Sequence, residues 1–194
     1  MGPAGKVIAF EPLDELANQL ERHAAMNHAR NLEVIRTGVF SKSGAAPLFT
    51  AGALFADGTQ HRGLGTLFST AERGVEAANI PLISLDDFVE ERQLQAIRLI
   101  KLDIEGAELA ALEGARKTIE RFRPLLIVEI GRETCLSAGY DPRDIFSCIT
   151  GFGYRIHRIG PRGRLHRIGI DDLVDFQNVY CEPDAAAVPE EARS

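Results

Sequence analysis

Strand-like and helix-like segments alternate along this chain, and that alternation restricts the fold more than any other feature of the sequence. Short apolar runs at residues 7–12, 32–40, 97–104 and 124–131 are separated by segments whose apolar residues recur at helical spacing. The run at 124–131 has no polar alternation, which is typical of a strand covered on both faces. The pattern predicts an α/β fold with a mostly parallel sheet.

Local signals give the boundaries of several helices. Asp14 is placed to cap a helix over residues 14–26, and Ser84 with Asp87 three residues later forms a variant of the helix capping box. A longer helix is predicted over residues 105–121, where apolar side chains fall on one face.

The C-terminal third and one central segment complete the predicted layout. Asp141 followed by Pro142 begins another helix, and strands over 153–165 and 176–181 complete the pattern as a hairpin. Residues 41–80 are rich in Gly, Ala and Thr, so we expect loops or irregular strands there, covering one edge of the sheet.

Charge and cysteine content exclude several classes of protein. The net charge of -6 leaves no surplus of Lys and Arg to neutralise phosphates, although residues 155–169 are locally basic, so nucleic acid is not expected as a partner. The three cysteines have no C-x-x-C spacing, which argues against a disulfide framework or a zinc site and fits a reducing compartment. With no apolar run of about 18 residues and no secretion signal, we expect a cytoplasmic protein without a membrane span.

Three of the predicted strands end in an acidic residue: Glu11, Asp103 and Glu129. Ligands of open α/β sheets bind beyond the carboxyl ends of the strands, so these acids predict one cleft. Each acid also has a purely structural explanation, because an acid after a strand often serves only to cap the next helix.

Charged residues are concentrated around the end of the strand at 97–104. Lys101, Asp103 and Glu105 alternate, so they would share one face if the strand continued. Such a group is costly without partners or a ligand, which favours a function. For Glu105, and more so for Glu108, a favourable interaction with the helix macrodipole is the alternative explanation.

The segment IKLDIEGAELAALEGA, preceded by IPLISLDDFV and followed by RPLLIVEI, closely resembles the FkbM family of S-adenosylmethionine-dependent methyltransferases. The similarity extends over roughly residues 5–182, which we expect to form a single domain over 1–182 followed by a disordered tail at 183–194. The resemblance implies a class I methyltransferase (Rossmann-like) sheet with strand order 3-2-1-4-5-7-6 and a C-terminal antiparallel hairpin. It also implies methyl transfer to a hydroxyl group of a small molecule, such as a sugar or a secondary metabolite.

The resemblance also implies roles for individual residues. Glu11 would accept hydrogen bonds from the ribose hydroxyls of S-adenosylmethionine. Asp103 would act as a general base or as a ligand of a divalent cation, and Glu129 would share that metal or orient the acceptor. The remaining candidates are Lys101 and Glu105 as catalytic or structurally paired residues, and Gly38 and Val39 as cofactor-binding residues.

The sequence departs from the family pattern at its start, because no first strand and no glycine-rich turn precede the strand at 7–12. Loss of three buried aliphatic side chains would cost about 5–9 kcal/mol, so we expect the chain as written to be unstable or inactive. Met1 would then be an internal methionine, or the gene a degenerate fragment.

Two other functions remain as alternatives. The first is a non-catalytic methyltransferase remnant that binds a partner. The second is a nicotinamide-dependent oxidoreductase, since an acid at the end of the second strand also binds ribose in dinucleotide folds. The predicted C-terminal hairpin argues against the oxidoreductase.

Overall fold

The computed structural model describes residues 5–50, 65–69 and 74–184, and within them strands and helices alternate as the sequence predicts. The described strands are β1 (Val7–Phe10), β2 (Leu32–Ile35), β3 (Gly38–Val39), β4 (Gly44–Thr50), β5 (Val75–Ile83), β6 (Leu99–Leu102), β7 (Leu125–Gly131), β8 (Tyr154–Ile159), β9 (Leu165–Arg167) and β10 (Phe176–Pro183). The described α-helices are α1 (Asp14–Met26), α2 (Leu85–Glu91), α3 (Glu108–Glu113), α4 (Arg116–Phe122), α5 (Arg132–Ser137) and α6 (Pro142–Gly151).

These strands form three sheets in the described part of the chain. β1 pairs with β2 in parallel, and β3, β5 and β4 form a three-stranded sheet in that order. The largest sheet has five strands in the order β6-β7-β10-β8-β9, with β6 and β7 parallel and the other neighbours antiparallel. Only one of its four described pairings therefore has the parallel direction that the sequence predicts for most of the sheet.

The strand order agrees with a class I methyltransferase sheet. Read from β2 to β1, and then from β6 through β7 and β10 to β8, it follows 3-2-1-4-5-7-6 with the first strand left out. The predicted C-terminal hairpin is confirmed, because β8 and β10 pair antiparallel with His157 opposite Tyr180. Among the residues that the structure describes, no strand pairs with both β1 and β6.

The segment predicted as loops or irregular strands is more regular than expected. Residues of β4 and β5 pair antiparallel along their length, with a single register shift between Leu48 and Phe49. Pro47 and Pro81 lie within these strands and interrupt the pattern of apolar residues on which the prediction depends. Residues 51–64 and 70–73 of the predicted cover lie outside the described residues.

The helix predicted over residues 105–121 is divided into α3 and α4. The break lies at Gly114, whose chain passes so close to the end of β3 that a Cβ atom there would lie 2.3 Å from the Phe40 carbonyl oxygen. The Asp86 carboxylate accepts hydrogen bonds from the backbone N–H groups of Lys117 and Thr118, at 3.0 and 2.8 Å, and so caps α4 from α2. Tertiary contacts therefore override the helical periodicity at this point.

Other predicted boundaries differ by a few residues. The run at 32–40 divides into β2 and β3, and β1 ends before Glu11. Asp14 is the first residue of α1 and not its cap; the residue before it is Leu13, whose N–H donates to Glu11 Oε1 at 2.9 Å. The helix start at Asp141 and Pro142 is confirmed, and Asp141 also forms a capping box with Asp144 that was not predicted from the sequence. At Ser84 only half of the predicted box forms: the hydroxyl accepts from the Asp87 N–H, but the Ser84 N–H donates to Ser43 Oγ.

The main core lies on the five-stranded sheet and the helices packed against it. Its fully buried side chains include Leu112, Ile119, Leu126, Val128, Ile130, Ile145, Ile149 and Val179. β10 extends to Pro183, and the tail at 185–194 lies outside the described residues, so the predicted domain boundary stays a prediction. No helix in the described ranges combines the length and apolar character needed to span a bilayer.

The locally basic segment forms the far edge of the five-stranded sheet. β9 is an exposed edge strand, and the arginines of β8 have local partners: Arg155 pairs with Glu182 at 3.1 Å, and Arg158 donates to Gln177. This arrangement is a solvated hairpin, as its sequence indicates.

Candidate functional site

The carboxyl ends of β1 and β6 meet at one cavity, together with β3 and the β4–β5 pair. Its volume is about 120 Å³, and its walls are formed by Phe10, Glu11, Pro12, Leu13, Leu16, Gly38, Val39, Leu48, Gly65, Leu67, Ile80, Asp103, Ile104, Glu105 and Ala107. The position is the one expected for a ligand site in an open α/β sheet. The cavity therefore brings Glu11 together with Asp103 and Glu105, whereas Glu129, the third acid of the predicted cleft, is not among the residues that line it.

Glu11 is half-buried in the wall of this cavity. Its Oε1 atom accepts the hydrogen bond from Leu13, and no described residue hydrogen-bonds Oε2. Burial raises the pKa of the Glu11 carboxyl, and the Leu13 bond opposes that rise. One carboxylate oxygen thus fixes the turn into α1, which leaves the other for a ligand.

Gly38 and Val39 also line the cavity, on β3. Gly38 pairs with Leu82 of β5, and a Cβ atom at this position would lie 2.8 Å from Leu82 Cδ2. Close packing against the β4–β5 pair is therefore sufficient to explain the glycine. Val39 is 8% exposed and belongs to the main core.

Three carboxylates converge beside the cavity: those of Asp103, Glu105 and Glu129. One oxygen from each lies within 4.8 Å of the others. Lys101 joins the group, with its Nζ atom 2.5 Å from Asp103 Oδ2. The sequence predicts all four residues in one site, and the structure brings them together.

The reason for this convergence differs from the one that the sequence suggested. β6 ends at Leu102, so Glu105 does not reach the group by strand alternation. Instead the chain turns sharply, with φ of +54° at Glu105 and +104° at Gly106. A Cβ atom at Gly106 would lie 2.9 Å from the Thr134 carbonyl oxygen, so both the backbone conformation and the close approach require glycine there.

The environment of Glu129 favours its protonated form. Desolvation at the end of β7, reinforced by the negative charges of Asp103, Glu105 and Glu108, raises the pKa of the Glu129 carboxyl to about 7. Lys101 opposes this rise. A carboxyl whose pKa lies near neutrality can exchange a proton at physiological pH.

Sequence reasoning missed three residues that support this site. The sequence favours a macrodipole interaction for Glu108, but its side chain is 2% exposed and accepts hydrogen bonds from the Ile104 and Gly106 N–H groups. Thr66 donates its hydroxyl to the Glu105 carbonyl oxygen at 2.8 Å, and Tyr140 donates to that of Gly106 at 3.0 Å. The sequence signal for Glu108 is its position two residues after a glycine in a tight turn. Thr66 and Tyr140 lie far from this turn in the sequence, so no local pattern indicates their contacts with it.

The donor atoms of the carboxylate group fit a hard divalent cation. All three side chains offer oxygen, which is the ligand atom that Mg²⁺ and Mn²⁺ prefer. The same residues would relieve their mutual repulsion by sharing a proton at Glu129.

Comparisons with known proteins agree with this description of the fold. The structure is similar to the crystal structure of methyltransferase FkbM from Methylobacillus flagellatus KT, with a TM-score of 0.51, 20% identity, and coverage of 91% of this chain and 36% of that one. Over 137 residues the sequence is 28% identical to the methyltransferase sdnD of Sordaria araneosa. The aligned region covers 58% of this chain and 52% of the relative. The chain thus spans about half the length of this curated relative.

A family model supplies the assignment. The methyltransferase FkbM domain matches residues 1–156, most of the 194 residues of the chain. That range contains every carboxylate of the candidate site, from Glu11 to Glu129. The chain therefore belongs to the FkbM methyltransferase family.

Proposed function

We propose that this chain transfers a methyl group from S-adenosylmethionine to a hydroxyl oxygen of a small molecule, of the sugar or secondary-metabolite class. Contrary to the expectation of an inactive chain, we expect activity here, because Glu11, Asp103 and Glu105 line one cavity although no described strand pairs with both β1 and β6. The observation that carries the proposal is the convergence of Asp103, Glu105 and Glu129 beside a cavity that Glu11 also lines. One part of this site suits the hydroxyl groups of a cofactor, and the other suits the removal of a proton from an acceptor.

Glu11 supports the cofactor side of the proposal. Its Oε2 atom is free of hydrogen bonds from described residues, and the half-buried position strengthens any bond that a ribose hydroxyl donates to it. Gly38 and Val39 would form the adjoining wall. When bound, S-adenosylmethionine supplies an electrophilic methyl group on a positively charged sulfur.

The carboxylate group supports the acceptor side. Transfer requires the hydroxyl oxygen to form a bond to the methyl carbon while the sulfur–carbon bond breaks and the hydroxyl proton leaves. Glu129 would take that proton, because its pKa near 7 leaves it ionised in part and basic enough to hold a proton. Asp103 is less suited to this role than the sequence suggested, since its Oδ2 atom is paired with Lys101.

Binding of a divalent cation is the alternative role for the same side chains. Asp103, Glu105 and Glu129 would hold it, and it would lower the pKa of the acceptor hydroxyl. The two roles differ in their response to chelation, so the choice is experimental.

The first experiment follows the formation of S-adenosylhomocysteine from S-adenosylmethionine with a panel of glycosides and other hydroxyl compounds. Glu129→Gln should lower kcat by about 100-fold, since a positioned acid or base contributes at least that much. Asp103→Asn should also lower kcat, because it removes a carboxylate whose charge raises the pKa of Glu129 and which is one of the three possible cation ligands. Glu133→Gln, on the exposed start of α5, is the matched control and should retain the wild-type rate. Full activity in both site variants would contradict the proposal.

Chelation separates the two chemical roles. If EDTA abolishes transfer and added Mg²⁺ restores it, the carboxylates act by holding a cation. If EDTA has no effect, Glu129 acts as the base.

The cysteines bear on where this reaction takes place. All three are free thiols, and Cys135 and Cys181 are buried. Unpaired cysteines in a chain of this size fit a reducing compartment, and we therefore place the protein in the cytoplasm.

A further inference from the structure

We propose that Glu108 and Tyr140 are positioning residues that hold the turn at residues 104–106 so that Asp103 and Glu105 face Glu129. Neither side chain lines the cavity. Their effect on methyl transfer rests on the function proposed above, whereas their effect on the turn does not.

Glu108 holds the turn from the protein interior. Its Oε1 atom accepts from the Ile104 N–H at 2.8 Å, and its Oε2 atom accepts from the Gly106 N–H at 2.9 Å. One carboxylate thus satisfies two backbone donors that flank Glu105. Without it, the Gly106 N–H would be a buried donor lacking its partner, which is unfavourable.

Burial makes the macrodipole explanation insufficient for Glu108. An exposed carboxylate in the first turn of α3 would gain the same interaction with the helix without losing its hydration. Glu108 is instead 2% exposed, and desolvation raises the pKa of its carboxyl. The two backbone hydrogen bonds are the compensation for that burial.

Tyr140 connects this turn to the segment that follows Glu129. It lies after β7 and α5, and its hydroxyl is 3.0 Å from the Gly106 carbonyl oxygen and 3.4 Å from Glu108 Oε2. The carbonyl is the nearer acceptor for its single proton. Tyr140 therefore bonds the turn after β6, which carries Asp103 and Glu105, to the loop between α5 and α6.

The turn needs such support because its backbone is strained. Glu105 has a positive φ of +54°, a conformation that residues with a side chain adopt at some cost, and Gly106 follows at +104°. Thr66 adds a third contact through its bond to the Glu105 carbonyl oxygen. If these contacts were removed, the backbone at Glu105 would relax toward negative φ and carry its carboxylate away from Glu129.

The test compares Glu108→Gln and Tyr140→Phe with Tyr154→Phe. Tyr154 is a matched control, because its buried hydroxyl also donates to a backbone carbonyl, that of Pro124 at 2.8 Å, but far along the chain from the turn. Amide hydrogen exchange of Ile104 and Gly106 reports on the turn without any ligand. We expect about tenfold faster exchange in the two turn variants and no change in the control.

The functional measurements are the affinity for S-adenosylhomocysteine and the kinetics of methyl transfer. We expect both turn variants to keep the wild-type Kd within about twofold, since Glu11 is untouched, and to lose about tenfold in kcat. A variant that only weakened the fold would affect the control and the turn variants alike. The expected split between Kd and kcat therefore identifies positioning.

Each outcome bears on a separate statement. Unchanged exchange at Gly106 in both turn variants would overturn the positioning role. Altered exchange with unchanged kcat would overturn its importance for transfer. If the wild-type chain binds no S-adenosylhomocysteine, the proposed function fails, and hydrogen exchange alone decides whether Glu108 and Tyr140 hold the turn.

Discussion

Strands β7 and β1 bury their apolar side chains to very different extents. In β7, which has a paired neighbour on each side, Leu126, Val128 and Ile130 are fully buried. In β1, which pairs only with β2 among the described strands, no residue is fully buried, and Val7 is 37% exposed. β6 forms an edge of the five-stranded sheet and pairs only with β7 among the described strands, and its Leu99 is 43% exposed.

This difference shows that strand burial depends on neighbours more than on composition. The sequences VIAF and LLIV are similarly apolar. The second lies between two paired strands and under helices, whereas the first has one edge without a paired strand in the described residues. The candidate site lies where the two less buried strands end, so its carboxylates stand next to the less stabilised part of the sheet system.

The largest expected effect is a difference between two identical substitutions. Ile130→Ala should lower the free energy of unfolding by about 4 kcal/mol, because the side chain is fully buried and the cavity left behind cannot be filled by water. Ile8→Ala, in the partly exposed β1, should cost about 1 kcal/mol. Urea denaturation of both variants measures the difference. Equal losses would show that β1 is as well packed as β7.

A pair of glycine substitutions tests the contact between Gly114, at the break between α3 and α4, and Phe40, which follows β3. Gly114→Ala should destabilise the protein by about 2–3 kcal/mol, because its Cβ atom would meet the Phe40 carbonyl oxygen at 2.3 Å. Gly151→Ala, at the end of α6, has no atom within 4 Å of the new Cβ and should stabilise by up to about 1 kcal/mol. Thermal denaturation distinguishes the expected loss of stability in Gly114→Ala from the expected gain in Gly151→Ala. A neutral Gly114→Ala would mean that the break between α3 and α4 does not approach Phe40 closely.

The smallest stability effect concerns the pH dependence of the carboxylate group. The pKa of Glu129 is about 7 in the folded chain, above the ordinary value of 4.5, so the folded state binds a proton more tightly than the unfolded state. Stability should therefore fall as pH rises between 4.5 and 7. Because the side chain is partly solvated, we expect about 1 kcal/mol.

Glu129→Gln removes this dependence and supplies the check. Its stability relative to the wild type should rise by about 1 kcal/mol from pH 5 to pH 8, measured by urea denaturation at each pH. Glu133→Gln, on the exposed surface, should show no such change. A constant difference between Glu129→Gln and the wild type would contradict the raised pKa.

The features that the sequence revealed are those controlled by local chemistry. The helix start at Asp141, the acids Glu11 and Asp103 after two strands, and the strand segments of the C-terminal hairpin each depend on a few consecutive residues, and all are present. The features that it hid depend on contacts between remote segments. The break at Gly114 results from its approach to Phe40, and the turn at Glu105 is held by Thr66 and Tyr140.

The most direct test of the account is calorimetric titration of S-adenosylhomocysteine into the purified chain and two variants. We predict a micromolar Kd for the wild type, a Kd about 10–100-fold higher for Glu11→Gln, and no change for Glu90→Gln on the exposed surface of α2. Absence of binding by the wild type would contradict the proposed methyltransferase function. Equal binding by Glu11→Gln and the wild type would show that the cavity at the ends of β1 and β6 does not hold the cofactor through Glu11.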